Sequence, residues 1–526
     1  MLLILAAQAA LPPASFSCEA PYVFQGQRAG DHLSADCSPP GDWNGDGRPD
    51  VLIGGLQRWN EAPQNLGAAQ LYFGEFKGSE GRELTESPSL TFRGSRGGER
   101  FGYSARFVGD LDGDGRDDVA IGAPRARRNQ DGPAKFDERG QLHLFFSSEF
   151  ADLEPGSTLS ADQASLTLVG GQPGGRFGFQ ACGLGDLDGD GQGELAVSEI
   201  GSQLARGRAS GQVWIFPGSE LFQGAASEYH GEPSGEPVRV ALASTRAARS
   251  LKGNKPADRF GWALSFDPSL GLAVGAPCLE ARNLRHPEAD PLGLVASDDG
   301  YVSLFATGQL LDSGEKAQAP RHLPSPDPGS RSQFGRALHL SASGLLVGSP
   351  AFDRDGAVSE ANRHGRIQRF DPKTLELEFT HTGEVAGEFL GWSTFAVPDL
   401  NGDGTAEFAV GVLLHSTEAP EESPCPADER VGSRSAGACL IYAGRSASES
   451  PTVLQAIHGQ DGRDRLSWSM SLFGEWQGQT WMLLGALAWP DDRRGDDNNE
   501  EAGRAYLVAL VPPVQKELSP GERERP

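Results

Sequence analysis

The stretch VGDLDGDGRDDVAIGAP, residues 108–124, joins an acidic segment to an apolar one. Asp110, Asp112 and Asp114 stand at alternate positions, and Asp118 follows four residues later. The glycines between them permit a tight turn, and the run VAIGA has the length and character of a buried β-strand. The stretch therefore predicts a cation-binding loop that leads into a strand.

The same pattern occurs three more times, as PPGDWNGDGRPDVLIGG, GLGDLDGDGQGELAVSE and AVPDLNGDGTAEFAVGV. The first aspartates of the four copies are Asp42, Asp110, Asp186 and Asp399. They are separated by 68, 76 and 213 residues, and the last spacing is about three times the others. The chain therefore contains a repeat, with room for two further units that have lost their aspartates.

A second motif identifies the units without aspartates. RFGYSARF, RFGFQACG and EFLGWSTF precede acidic loops, whereas RFGWALSF and QFGRALHL do not. RLSWSMSLF near the C-terminus and the weaker DHLSADCS near the N-terminus bring the number of units to seven. Each unit continues with an apolar run, a run such as GQVWIF and a shorter lead-out strand. Four short strands per unit predict an all-β fold, a seven-bladed β-propeller.

The two ends of the chain predict how the ring closes. The last unit ends with its third strand at about Leu510, whereas PYVFQG near the N-terminus resembles a lead-out strand. We expect this N-terminal strand to complete the last blade, which removes an open sheet edge. The expected organisation is a signal peptide at 1–17, the propeller at 18–510 and a disordered C-terminal tail at 511–526.

The motifs resemble the FG-GAP repeat family, through the Phe-Gly starts, the aspartate loops and the GAP tripeptide that ends at Pro124. The best-known member of this family is the seven-bladed propeller at the N-terminus of integrin α subunits. The resemblance covers roughly residues 20–510. It implies that the loops between the first and second strands hold calcium on one face, and that the loops between the second and third strands lie on the opposite face.

The acidic loops offer oxygen ligands at positions 1, 3, 5, 7 and 9, with position 7 contributing its backbone carbonyl. Oxygen ligands at this density suit Ca²⁺, which takes about 6–8 of them, better than Mg²⁺, which keeps more water. We expect about four Ca²⁺ sites. Their ligands are Asp42, Asn44, Asp46, Arg48, Asp50, Asp110, Asp112, Asp114, Arg116, Asp118, Asp186, Asp188, Asp190, Gln192, Glu194, Asp399, Asn401, Asp403, Thr405 and Glu407.

Two other interpretations of these loops are open. An EF-hand begins in the same way but needs a glutamate at position 12 and flanking helices. Position 12 is Ile53, Ile121, Val197 and Val410 in the four loops, which favours a β-hairpin loop over an EF-hand or dockerin. The second alternative is a solvated acidic turn without metal. The two loops with Asn at position 3 are expected to bind calcium more weakly.

The composition limits the function. The formal net charge of −26 argues against nucleic acid and against anionic membrane surfaces as partners. The ten histidines form no HExxH motif, and the chain contains no GxSxG motif, so we expect no catalytic site. The leading hypothesis is a binding or adhesion module for an extracellular protein or glycan, using loops opposite the calcium face. The alternatives are a structural surface-assembly module and, third, a hydrolase of extracellular polymers.

The predicted location is outside the cytoplasm. The start MLLILAAQAALPPAS has an apolar run followed by small residues and prolines, as secretory signals do, but lacks a charged beginning. A mis-set start or a disordered leader is the alternative. No later apolar run approaches the roughly 18–20 residues that span a membrane. We expect a secreted, periplasmic or cell-surface protein with no transmembrane segment.

The six cysteines are an even number, as an oxidising compartment favours. Two disulfides are expected, Cys18 with Cys37 and Cys425 with Cys439. The remaining two, Cys182 and Cys278, lie in strand-like apolar segments, where a disulfide and buried free thiols both remain possible.

The segment RARR at 125–128 is basic within an acidic protein. Arg125, Arg127 and Arg128 would suit an acidic glycan or protein patch. The alternative is that they balance the charge of neighbouring loops.

Overall fold

The computed structural model describes residues 22–26, 32–55, 66–74, 84–85, 87–127, 138–201, 210–222, 240–255, 258–278, 299–311, 319–354, 363–414, 436–444, 452–459, 465–476, 478–487 and 503–510. These residues form seven sheets of four or five strands. The first strand of every sheet contacts the first strand of the next, around all seven positions. The sheets are therefore the blades of a closed ring, and the prediction of a seven-bladed β-propeller is confirmed.

Blades are numbered in chain order, and the strands of each blade are numbered from the centre of the ring outward. Their bounds are Leu33–Cys37, Val51–Gly55, Ala68–Tyr72 and Leu90–Arg93 in blade 1; Ser104–Phe107, Val119–Ala123, Gln141–Phe145 and Leu166–Val169 in blade 2; Phe177–Gly185, Glu194–Glu199, Gln212–Phe216 and Arg249–Lys252 in blade 3; Ala263–Asp267, Gly271–Ala276, Tyr301–Phe305 and Arg321–Pro324 in blade 4; Ala337–Ser341, Gly344–Gly348, Arg366–Phe370 and Leu377–Thr382 in blade 5; Leu390–Val397, Glu407–Val412, Ala438–Tyr442 and Val453–His458 in blade 6; and Leu466–Trp476, Gln479–Ala486, Arg504–Leu510 and Tyr22–Gln25 in blade 7. The described helices are all short, at Ser147–Phe150, Ala161–Gln163, Gly218–Phe222, Ala243–Arg246 and Thr307–Gln309.

The ring closes as the sequence predicts. Tyr22–Gln25 pairs antiparallel with Arg504–Leu510 and supplies the fourth strand of blade 7. The last blade is thus built from both ends of the propeller, and neither partner strand leaves an unpaired edge at the junction. The expected signal peptide and C-terminal tail lie outside the described residues.

Three blades carry a fifth, parallel strand that the sequence analysis did not predict. Ser157–Ser160 pairs with blade 1, Val240–Leu242 with blade 2 and Leu84–Thr85 with blade 7. Each comes from the connection between the third and fourth strands of the following blade. The fourth strand of blade 2 is wholly buried, whereas that of blade 6 is mostly half-buried. The added strands therefore cover the outer edges of blades 7, 1 and 2.

The repeated motifs are explained by contacts between neighbouring blades. The phenylalanines of the Phe-Gly starts are buried in the core, as Phe101 and Phe177 show at 1% and 0% exposure. The glycine after the phenylalanine packs on a glycine in the second strand of the preceding blade at Gly102, Gly178 and Gly335, and on Ser198 at Gly261. A Cβ on Gly122 would lie 2.0 Å from the carbonyl oxygen of Gly178, a distance that no real Cβ allows. The motif is therefore a packing device that sets how closely blades approach.

In every blade, the residue immediately before the buried anchor of the first strand is a non-glycine residue in the left-handed backbone region. These residues are His32, Arg100, Arg176, Arg259, Gln333, Phe389 and Arg465, with φ between 41° and 60°. Such a conformation costs roughly 1 kcal/mol or more in a residue with a side chain. It recurs because the chain must turn sharply there to bring the anchor into the core.

The expected disulfides are not formed in this structure. Cys37 and Cys439 are free, buried thiols, while Cys18 and Cys425 lie outside the described residues. The thiols of Cys37 and Cys439 are buried in the packed interior, where Cys37 accepts a hydrogen bond from the Ser469 hydroxyl at 3.2 Å. Burial raises the pKa of each to about 12, which makes them unreactive. The cause of the wrong prediction is that even cysteine number and spacing do not report side-chain direction.

Candidate metal centres

The four acidic loops connect the first and second strands of blades 1, 2, 3 and 6. In each loop the glycines at positions 4 and 6 have positive φ, as Gly113 and Gly115 do at 83° and 86°. The first strands run in the same direction in every blade, so all four loops lie at the same face of the ring. We call this the acidic face.

The carboxylate at position 1 organises the loop backbone. The amide of Gly115 donates to Asp110 Oδ2 at 2.7 Å, and the amide of Gly113 donates to Asp110 Oδ1 at 2.6 Å. The bond from position 6 to position 1 recurs in the other three loops, at 2.8, 3.0 and 2.7 Å. The four loops therefore share one backbone arrangement, although their sequences differ.

Positions 3 and 5 continue the same framework. The amide of Asp114 donates to Asp112 Oδ1 at 3.1 Å, and the amide of Arg116 donates to Asp114 Oδ1 at 2.8 Å. The equivalents in the loop of blade 6 are 2.8 Å for each bond, with Asn401 supplying the oxygen at position 3. Asn thus replaces Asp without changing the backbone.

The carboxylate at position 9 is the buried member of the set. Asp118 is fully buried and accepts amide hydrogen bonds from Leu111 and Ser147, both at 2.8 Å. Because Ser147 follows the third strand, Asp118 ties the loop to the body of the blade. Burial raises the pKa of Asp118 to about 8 and the pKa of Glu194 to about 7. A cation close to these carboxylates would favour their ionised form.

The structure brings carboxylates together in three of the four loops. The groups that could hold a metal ion are Asp110, Asp112 and Asp118; Asp186, Asp188 and Glu194; and Asp399, Asp403 and Glu407. Within each group the ligand atoms lie within 4.8 Å of one another.

The loop from Asp42 forms no such carboxylate group in the described part of the chain. It has Asn44 at position 3, whose amide donates to Asp46 Oδ2 at 3.1 Å. Its position 9, Asp50, is fully buried like Asp118. Burial raises the pKa of Asp50 to about 7. This loop shares the backbone framework but not the convergence of three acids.

The oxygen ligands of these loops suit a hard cation, and their arrangement differs from that of an EF-hand. Position 12 of every loop is a fully buried aliphatic residue in the second strand, as Ile121 and Val410 are. It cannot supply a bidentate carboxylate. The oxygens that converge come from positions 1, 3, 5 and 9 of a β-hairpin loop, and oxygen-only donor sets are those that Ca²⁺ prefers.

Contacts between neighbouring loops were not predicted. The amide of Asp42 donates to Asp117 Oδ2 at 2.7 Å, and the amide of Asp117 donates back to the Asp42 carbonyl at 3.0 Å. The amide of Gly193 donates to the Asp110 carbonyl at 2.6 Å. The loops of blades 1, 2 and 3 therefore form one connected group. No periodic sequence signal marks Asp117, because its partner lies in another blade.

The basic segment has a partner in the structure. Arg125 pairs with Glu138 at 2.6 Å, and Arg176 pairs with the other oxygen of Glu138 at 3.2 Å. These arginines lower the pKa of Glu138 even though burial opposes the shift. Arg128 lies outside the described residues. The pairing of Arg125 supports the charge-balancing interpretation.

The fold and the acidic loops define the class of protein as an all-β, seven-bladed propeller whose loops resemble those of FG-GAP repeats. The FG-GAP repeat family model matches residues 101–143, and the FG-GAP-like repeat model matches residues 42–121. Residues 42–143 therefore match FG-GAP repeats, as the motifs predict.

The curated relatives it matches are integrin α subunits. Integrin alpha-5 of Xenopus laevis is 32% identical over 201 residues, which is 36% of this chain and 17% of that protein. Integrin alpha-IIb of Homo sapiens is 37% identical over 127 residues, 24% of this chain and 11% of that protein. Integrin alpha-PS2 of Drosophila melanogaster is 28% identical over 243 residues, 45% of this chain and 14% of that protein. The matches cover less than a fifth of each relative, and the chain resembles the integrin α propeller.

Among the residues that the structure describes, no helix is long and apolar enough to cross a membrane.

Proposed function

We propose that this protein is an exported, calcium-stabilised propeller that binds an extracellular protein or glycan through the face opposite the acidic loops. The observation that carries the proposal is the shared framework of four acidic loops on one face of a closed ring that resembles the integrin α propeller. We propose no catalytic role. The net charge of −26 argues against nucleic acid as a partner.

The proposed calcium ligands are the residues at positions 1, 3, 5, 7 and 9. Bound Ca²⁺ would supply the positive charge that the converging carboxylates need. The chain's own contribution is to hold these oxygens in place: Asp110 through the amides of its loop, and Asp118 through its bond to Ser147. The loop and the third strand are then held together, which stabilises the ring.

We propose that one face of the ring binds the cations and the opposite face binds the partner. The acidic loops are occupied by their own hydrogen bonds and by the proposed cation. The second strands end at the opposite face, where the connections to the third strands begin; the segments 128–137, 279–298 and 415–435 of these connections lie outside the described residues. Connections on a rigid ring are common sites of recognition.

The proposal is tested by metal analysis and partner capture on the same preparation. We expect bound calcium in the purified protein, with a stoichiometry near the number of acidic loops. Extracellular protein extracts and a glycan array should show a saturable partner for the calcium-loaded protein. The variant Asp112→Ala should lower the melting temperature and leave partner binding intact where the ring stays folded. Binding lost without any change in melting would contradict the proposed division between faces, and absence of any partner would favour a purely structural module.

A further inference from the structure

An arc of large side chains lines the centre of the ring at one end. Each lies two residues after the buried anchor, at the beginning of the first strand. The members are Tyr103, Phe179, Trp262, Arg336, Trp392 and Trp468, from blades 2 to 7 in order. Blade 1 has the small Ala35 at this place. Because first strands begin at the end away from the acidic loops, the arc lies at the opposite face.

The members of the arc contact one another in sequence order. Ring centroids are 4.8 Å apart between Tyr103 and Phe179, and 4.8 Å apart between Phe179 and Trp262. The centroids of Trp392 and Trp468 are 5.0 Å apart. The interplanar angles of these pairs lie between 42° and 48°, so each ring leans on the next. Their faces are thereby largely used in packing within the arc.

Arg336 bridges the two halves of the arc. Its guanidinium carbon lies 3.6 Å from the centroid of Trp392 and 5.3 Å from that of Trp262. Contacts of this kind hold a cation by the negative faces of the indole rings. Desolvation lowers the pKa of Arg336 only to about 10, so the side chain stays charged at neutral pH.

The charge of Arg336 is not balanced within the described part of the chain. Its Nε is buried and has no hydrogen-bond partner, and no described carboxylate pairs with its guanidinium. Tyr103 is the one group whose charge affects its pKa, and it is neutral at physiological pH. The acid Asp36 is already engaged by Arg106, with Nε to Oδ2 at 2.8 Å.

Arg336 is half-buried, and its buried Nε lacks a hydrogen-bond partner, so a ligand that supplies an acceptor would be stabilising. Burying a charge without a hydrogen-bonded partner is unfavourable, and cation–π contacts recover only part of the loss. The planar fork of arginine matches a carboxylate through two parallel bonds.

We propose that Arg336 is a binding site for the carboxylate of an acidic side chain on a loop of a partner protein. The leaning rings leave no broad aromatic platform for a sugar, whereas a glutamate or aspartate is narrow enough to reach the guanidinium. This inference rests on the proposed function, which places a partner on this face, and it narrows that partner from a protein or glycan to a protein with an acidic loop.

The experiment uses the whole calcium-loaded protein and a pentapeptide with blocked ends, Gly-Gly-Glu-Gly-Gly. Binding is followed by calorimetry and by tryptophan fluorescence, since Trp262 and Trp392 flank the guanidinium. Two further probes are measured in the same way: the same peptide with glutamine in place of glutamate, and glucuronate alone. The variants are Arg336→Gln, Arg336→Lys and, as a matched control, Arg321→Gln. Arg321 is exposed and donates to the carbonyl of Pro372 at 2.8 Å.

We expect saturable binding of the glutamate peptide to the wild type and to Arg321→Gln. The affinity should fall by about tenfold or more in Arg336→Gln and by less in Arg336→Lys, which keeps the charge but loses the fork. If Arg336→Gln does not fold, as judged by its melting curve, the affinity of Arg336→Lys for the glutamate peptide tests the proposal instead. Equal affinity in the folded variants, or no binding to the wild type, would overturn the proposal.

The other measurements distinguish a failure of the Arg336 site from a failure of the proposed function. Saturation by glucuronate without saturation by the peptide would overturn the protein partner in favour of an acidic glycan. Capture of a partner that survives Arg336→Gln would overturn the Arg336 site while the proposed function stands. Peptide binding at Arg336 without any captured partner would support the site and count against the proposed function.

Discussion

Blades 2 and 5 build the same hairpin in two different ways. In blade 2, residues 108–118 separate the first strand from the second, with Phe107 paired to Val119. In blade 5, two residues separate Ser341 from its partner Gly344. The second strand is fully buried in both blades. The acidic loop is therefore an addition to a hairpin that can close without it.

The two connections also differ in what satisfies their polar groups. The turn of blade 5 is completed by a bond of 2.8 Å between the hydroxyls of Ser341 and Ser343. The loop of blade 2 depends on carboxylates, including the fully buried Asp118. Clustered carboxylates repel one another unless a cation or protons neutralise them. The comparison teaches that only blades with acidic loops should depend on metal.

The largest expected effect is that of removing divalent metal. Excess chelator should lower the melting temperature, because a site held at a hundred times its Kd contributes about 2.7 kcal/mol to stability and several sites are lost together. Hydrogen exchange on the same samples should accelerate at 110–118 and 186–194. It should stay unchanged at Ser341–Gly344. Equal acceleration in both regions would contradict the claim that only the blades with acidic loops depend on metal.

The next largest effect is the loss of unfolding free energy on substituting Asp118, compared with the loss on substituting an aspartate in a turn without an acidic loop. Asp118→Ala removes the acceptor of two buried amides and should cost on the order of 3 kcal/mol in urea unfolding. The matched control is Asp267→Ala in the hairpin of blade 4. There Asp267 accepts from the amide of Ser269 at 2.9 Å in an exposed turn, where water can replace it. We expect a cost of about 1 kcal/mol or less for the control.

The smallest effect should be common to both blades. Burial lowers the pKa of His143 in blade 2 and of His339 in blade 5 to about 4. The unfolded chain binds protons on these rings from about pH 6.5 downward, whereas the folded protein does not, so stability present above pH 6.5 is lost as the pH falls toward 4.

The test uses the His143→Gln variant, in which this ring no longer titrates. The stability of the wild type relative to the variant should fall by roughly 2 kcal/mol between pH 6.5 and pH 5. Thermal melts across this range measure the difference. A constant difference would show that His143 titrates alike in the folded and unfolded chain. A parallel result for His339→Phe would show that acid sensitivity, unlike metal dependence, does not distinguish the two blades.

Much of the acidic face could be predicted because its signals are local. The spacing of Asp110, Asp112, Asp114 and Asp118 lies within nine residues, and a loop of this length is organised by its own amides. What was missed joins residues of different blades. Asp117 bonds to Asp42 across 75 residues, and the strand Ser157–Ser160 pairs with a blade that precedes its own. No pattern within one unit reports such contacts.

The sequence by itself determined the seven units, their four strands, the closing strand at Tyr22–Gln25 and the positions of the acidic loops, because each follows from a repeated local pattern. Tertiary structure alone decided which carboxylates converge, why Cys37 and Cys439 stay free thiols, and how Arg336 comes to lie between Trp262 and Trp392. The physical reason is that these outcomes depend on the direction of side chains across a closed ring, where residues many tens of positions apart become neighbours.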